Sequence, residues 1–138
     1  MSASRILYVD DNRDAYELAA AIFKYCGVNC NVISAESARE AISLIEEESF
    51  DVYIFDYSMP EMSGIELCRY IRQFDADTPI VFFSGMARPS DRTAALAAGA
   101  NDYLIKPNDL ERLPETIKRF LADARQLPPG AAGLPLLH

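Results

Sequence analysis

The sequence predicts an α/β protein, a single doubly wound (βα)5 domain on a five-stranded parallel sheet. Two observations predict it. Five short apolar runs alternate with five stretches whose apolar residues recur at the helical period. Four of those runs stop on an acidic, hydroxyl or ammonium side chain, as strands do when they emerge at a working edge of a sheet. Right-handed crossovers leave few arrangements of such units, and the common open strand order is 2-1-3-4-5. At 138 residues, half of them hydrophobic, the chain has the length and core of one domain.

The first strand is Arg5 to Val9, followed by Asp10, Asp11 and Asn12. From Arg13 the period changes. Ala15, Leu18, Ala19, Ile22 and Cys26 share one helix face, and Gly27 ends that helix. Asn29 to Ile33 is the second strand. Ser37 caps the second helix, with Glu40 completing a capping box and Ala38, Ala41, Ile42 and Ile45 as the buried stripe. Val52 to Phe55 is a run buried on both faces, and it leads straight into Asp56. Pro60 and Gly64 break the chain before the third helix. That helix is capped by Ser63 with Glu66, and it turns Gly64, Leu67, Cys68 and Ile71 inward.

Asp77 to Pro79 is a turn, and the fourth strand, Pro79 to Phe83, ends in Ser84-Gly85. An alanine-rich helix runs from Pro89 or Ser90 to Ala98 and stops at Gly99. Asp102 to Ile105 is the fifth strand, ending at Lys106-Pro107. The last helix spans about Asp109 to Gln126, with a break or fresh start at Pro114. Its stripe is Leu113, Ile117, Phe120, Leu121 and Ala124. Residues 127–138, rich in Pro and Gly, read as an irregular tail after a domain at 5–126, with no output domain attached.

Composition narrows the function. A net charge of -8 argues against direct contact with nucleic acid or an anionic membrane. No apolar run is long enough to span a bilayer, and the first residues lack a signal-peptide pattern. Three widely spaced cysteines, Cys26, Cys30 and Cys68, suit reduced thiols in a cytoplasm. The single histidine is His138, which effectively excludes a histidine-based metal or triad site.

The strand order brings Asp10, Asp11 and Asp56 together at the carboxyl edge, with Ser84 and Lys106 to one side. Crowded carboxylates repel, and one should have its pKa raised unless a cation relieves them. Oxygen ligands without histidine or thiolate select Mg²⁺, or Mn²⁺, over zinc. A carboxylate left free can attack a phosphoryl group, with the lysine and hydroxyl facing the phosphoryl oxygens. Taken singly, Asp10 could cap the first helix, Ser84 be a turn residue, Lys106 a solvated lysine and Tyr103 a strand aromatic.

Together these residues resemble the receiver domain of two-component response regulators, on a flavodoxin-like, chemotaxis-regulator-like fold. The matching positions are Asp10-Asp11, Asp56 with Met59-Pro60 and Gly64, Ser84-Gly85, Tyr103, and Lys106-Pro107. The resemblance implies that Asp56 is the phosphoacceptor. It implies that Asp11 binds Mg²⁺ directly, Asp10 holds a metal-bound water, and Asp56 and the backbone carbonyl of Ser58 complete the protein ligands. Lys106 and Ser84 would contact the phosphoryl group. The Lys106-Pro107 peptide is expected to be cis, and Tyr103 to turn inward as Ser84 moves toward the phosphate. Ser58 and Met86 match positions that tune phosphate lifetime, and their lack of charge or amide implies slow self-dephosphorylation.

The expected function is Mg²⁺-dependent transfer of a phosphoryl group from a partner phosphohistidine to Asp56. The partner is a sensor histidine kinase or a phosphotransfer protein. Output is a contact of helix 4, strand 5 and helix 5 with a downstream target protein. The chain then modifies itself and is not an enzyme for a free substrate. A pseudo-receiver that is never phosphorylated should lose one of the acidic residues, the Ser or the Lys, and all are kept. A phosphatase of the haloacid dehalogenase type needs an Asp-x-Asp after strand 1 and a cap. A flavin site is opposed by the acidic loop after strand 1.

Overall fold

The strands carry β-branched and aromatic side chains on alternating faces, so one sheet buries two apolar layers at once. The computed structural model describes residues 3–126. In chain order the elements are β1 (Ser4–Val9), α1 (Arg13–Tyr25), β2 (Cys30–Ala35), α2 (Ala38–Glu47), β3 (Val52–Phe55), α3 (Gly64–Arg72), β4 (Ile80–Ser84), α4 (Pro89–Ala98), β5 (Asp102–Ile105) and α5 (Arg112–Gln126). All pairings are parallel and the order is β2-β1-β3-β4-β5. The doubly wound α/β fold with order 2-1-3-4-5 is therefore as the sequence predicts.

On one face Ile6, Tyr8, Val52, Ile54, Val81, Phe83 and Leu104 pack with Ala19 and Phe23 of α1 and Leu113, Ile117 and Leu121 of α5. On the other, Leu7, Val9, Tyr53, Phe55, Ile80, Phe82 and Tyr103 pack against α2, α3 and α4. Side chains one residue apart on a strand thus face different helices, which is why register matters here.

Several boundaries differ from the sequence expectation. β2 starts at Cys30 and runs on to Ala35, because it continues pairing with β1 as far as Val9. In α1, Leu18 is 54% exposed, while Phe23, absent from the expected stripe, is buried. The core-facing stripe is centred between Ala19 and Phe23, so Leu18 falls off it. There it lines a cleft of about 100 Å³ with Ala15, Phe83, Lys106, Pro107 and Leu110. α5 begins at Arg112, which puts Pro114 in its first turn, where no intrahelical N–H is needed. In α2 the Ser37 hydroxyl accepts from Glu40 N at 3.1 Å, but the Glu40 carboxylate accepts from Glu36 N and not from Ser37. The capping box at α3 is complete. The side chain of Ala124 and residues 127–138 lie outside the described residues.

One glycine positions the site directly. Gly64 donates to the Tyr57 carbonyl at 2.9 Å. A Cβ on it would stand 2.2 Å from the Asp56 carbonyl oxygen and 2.9 Å from Phe82 Cε2. Both neighbours are held by the sheet and cannot yield. Gly64→Ala is expected to lose about 1–3 kcal/mol of stability from this overpacking. Urea unfolding measures it, and an unchanged midpoint would show that the loop yields after all.

Candidate functional site

The carboxyl ends of β1 and β3 are neighbours, so the residues that follow them meet. Asp10 N donates to the Ala35 carbonyl at 3.0 Å, and Asp56 N donates to the Val9 carbonyl at 2.9 Å. The sheet ladder therefore carries on one step past the strands and fixes both aspartate backbones. Oxygens of Asp10, Asp11 and Asp56 all lie within 4.8 Å of one another. Asp10 is buried, Asp56 is half-buried and Asp11 is exposed. Burial pushes the Asp10 carboxyl above the ordinary carboxylate range, and the charge of Asp56 adds to this, against the pull of Lys106.

Lys106 arrives from the end of β5. Its backbone N–H donates to the Ser84 carbonyl at 2.9 Å. Its Nζ donates to Asp10 Oδ2 at 2.5 Å and stands 3.8 Å from Asp56 Oδ2. The Lys106-Pro107 peptide is cis. Asp10 is not the cap of α1. That role falls to Asn12, whose Oδ1 accepts from the N–H groups of Asp14 and Ala15. Asp10 Oδ1 accepts from Asn12 N at 2.9 Å, which leaves its other oxygen to the lysine.

Ser84 is buried, and its Oγ accepts from Met86 N at 3.3 Å. Tyr103 is turned inward, with its hydroxyl donating to the Met86 carbonyl at 2.5 Å. Its ring stacks on Phe82 with centroids 5.7 Å apart and planes at 12°. Burial pushes its phenol up to about 12. The sequence tied this inward placement to a movement of Ser84 toward phosphate. Here it is secured by the Met86 carbonyl, the Ser84 hydroxyl and two neighbouring rings, contacts that involve no phosphoryl oxygen. Met86, singled out for its side chain, works here through both ends of its own backbone unit. Ser58 is exposed on the loop after Asp56.

Sequence reasoning missed Asn12 as the cap, although an Asn just before a helical run is the ordinary signal for one. It also missed the rings around Tyr103, because they come from strands far apart in the chain.

The geometry meets an independent match. The family model for the response regulator receiver domain covers residues 6–118. The chain belongs to the response regulator receiver domain family. This receiver is 36% identical over 129 residues to the response regulator MprA of Mycolicibacterium vanbaalenii, covering 94% of this chain and 54% of that protein. It is 36% identical over 121 residues to the transcriptional regulatory protein ZraR of Salmonella typhimurium, covering 88% of this chain and 27% of that protein. The chain thus spans about half, or about a quarter, of these relatives.

Among solved structures, it is similar to the chemotaxis response regulator CheY4 of Vibrio cholerae, with a TM-score of 0.77 and 29% identity over 87% of this chain and 100% of that one. The signal receiver domain of a histidine kinase from Syntrophus aciditrophicus gives a TM-score of 0.80 and 27% identity, covering 91% of this receiver and 96% of that chain. Among the described residues no helix is long and apolar enough to cross a membrane.

The Lys106–Asp10 pair is testable without any phosphoryl donor. Lys106→Met keeps the unbranched apolar stem of the side chain and removes its charge, leaving Asp10 buried beside Asp56. With the lysine 23% exposed, the loss is expected to be about 1–3 kcal/mol in metal-free buffer after allowance for screening. Adding Asp10→Asn should recover most of it. A single Lys106→Met variant as stable as the wild type would contradict the pairing.

Proposed function

We propose that this receiver takes a phosphoryl group from a partner's phosphohistidine onto Asp56, and that the added charge is read at the surface of α4, β5 and α5. The observation that carries this is the convergence of three carboxylates within 4.8 Å, with the Lys106 ammonium 3.8 Å from Asp56. Such an all-oxygen donor set fits a hard divalent cation, Mg²⁺ or Mn²⁺, and neither zinc nor copper. Asp11, Asp56 and the Ser58 carbonyl would hold it, with Asp10 behind. When bound, the ion supplies positive charge opposite the phosphoryl oxygens.

The chain's own groups do the rest. An Asp56 carboxylate oxygen attacks phosphorus, a P–O bond forms, and the P–N bond breaks with its electron pair remaining on the imidazole. Lys106 has further N–H donors beyond the one given to Asp10, and these face the incoming group. Ser84 accepts from Met86 N and its hydroxyl also meets that of Tyr103, so its proton turns from Tyr103 to a phosphoryl oxygen when one is present. Phosphorylation raises the local charge toward −2, which draws on these donors and shifts the β4–α4 segment. The chain modifies itself and turns over no free substrate. The cytoplasm is the fitting compartment, since kinases of this type present their phosphohistidine there.

The cleft beside Lys106, lined by Ala15, Leu18, Phe83, Pro107 and Leu110, offers an apolar seat for the helix that carries the phosphohistidine. Leu18 is then exposed for a reason that core packing alone does not supply.

With Mg²⁺ and acetyl phosphate, the wild type is expected to take up one phosphoryl group and Asp56→Asn none. Uptake that is unchanged in Asp56→Asn would place the phosphoryl group on another residue, and uptake lacking in both would favour an interaction module that is never phosphorylated; either result sinks the proposal. The acyl phosphate is expected to last for minutes or longer, because neither Ser58 nor Met86 carries a charge or amide to orient an attacking water, and decay within seconds would contradict that. Leu18→Arg should slow transfer from a kinase domain roughly tenfold while leaving the acetyl phosphate reaction intact. Equal slowing of both would place Leu18 in the fold and not in docking.

A further inference from the structure

The residue immediately after Asp56 is an aromatic one, and its ring is half-buried. Tyr57 meets Phe82 edge-on with centroids 6.2 Å apart and Tyr103 edge-on at 6.5 Å. Phe82 and Tyr103 in turn stack on each other at 5.7 Å. The three rings close a triangle, and each corner belongs to a different part of the site. Tyr57 adjoins the proposed phosphoacceptor. Phe82 lies two residues before Ser84. Tyr103 carries the hydroxyl bound to the Met86 carbonyl.

The Tyr57 backbone is pinned as well. Its carbonyl accepts from Gly64 N at 2.9 Å, and Gly64 lies against the Asp56 carbonyl. Only one planar peptide separates Asp56 from this ring. A small displacement at Asp56 is therefore passed to the ring edge, where a fraction of an ångström changes the contact.

We propose that Tyr57 is a positioning residue through which the state of Asp56 sets the placement of Tyr103, by a route separate from the Ser84 hydroxyl. Four contacts hold Tyr103 inward: the Met86 carbonyl, the Ser84 hydroxyl, the face of Phe82 and the edge of Tyr57. Ser84 touches Met86 N as well as the Tyr103 hydroxyl and so acts on the first two. Tyr57 acts on the last. Losing one ring pair lowers the inward-to-outward ratio of Tyr103 roughly two- to twelvefold. This coupling rests on the proposed phosphorylation of Asp56.

The test uses the full chain with 3-fluorotyrosine at position 103, observed by ¹⁹F NMR with and without beryllofluoride and Mg²⁺. The beryllofluoride adduct has its own ¹⁹F resonances, so binding at Asp56 is read independently of the ring. Tyr57→Phe keeps the ring and should match the wild type in both states. Tyr57→Leu should move the Tyr103 resonance toward that of solvent-exposed tyrosine, by the ratio above, and blunt its response to the adduct. Tyr57→Met provides a second ring-free variant should Tyr57→Leu fold poorly. An adduct that forms while Tyr103 behaves identically in wild type and ring-free variants overturns the coupling and leaves the proposed function standing. A wild type that forms no adduct overturns the proposed function, and the coupling with it.

Discussion

A buried carboxylate and the lysine that reaches it hold this structure's working edge together. Asp10 follows β1, an interior strand between β2 and β3, and Lys106 follows β5 at the border of the sheet. Their contact at 2.5 Å spans the ends of β3 and β4, so Asp56 and Ser84 lie between them. Burial raises the cost of the Asp10 charge and the lysine offsets part of it. Asp11 and Asp56 are then left crowded against a carboxylate whose cationic partner, Lys106, is shared with Asp56. Such an edge is under electrostatic tension that a further positive charge relieves.

Strand order turns distant sequence positions into neighbours. With β1 beside β3, the two acidic loops abut and α1 starts at the same place, its first N–H groups met by Asn12. With β4 and β5 to one side, the hydroxyl and the ammonium reach the cluster from one direction. Gly64 belongs to the same design. Only a residue without a Cβ lets α3 begin against the carbonyl of Asp56. The helices then divide the labour: α1 and α5 cover the face that carries Tyr8 and Phe83, and α2, α3 and α4 cover the rings that end at Tyr103.

Much of this was legible in the sequence because it depends on local chemistry. The apolar runs at 52–55 and 80–83 admit little but buried strand. Ser63 with Glu66, and Gly27 and Gly99 at positive φ, mark helix ends through their own backbone needs. The family relationship was legible because Asp10, Asp11, Asp56, Ser84 and Lys106 each stand at a strand end. What escaped depends on partners far off in the chain. Leu18 and Phe23 are both large and apolar, and only the packing of α1 onto the rest of the fold decides which is covered. Tyr103 could be placed on a strand, but its inward turn depends on the Met86 carbonyl and on Phe82 and Tyr57. No spacing rule encodes contacts of that kind.

The receiver thus joins an electrostatic edge to an aromatic cluster, with Ser84 and Tyr57 standing between them. Calorimetric titration of Mg²⁺ into the unphosphorylated protein probes that edge most directly, with Asp11→Asn and Asp56→Asn as comparisons. Saturable binding at one site in the wild type, greatly weakened in both variants, is the expected result. Wild-type protein that binds no Mg²⁺, or binds it as well without either carboxylate, would contradict the view that these acids are gathered to hold a cation.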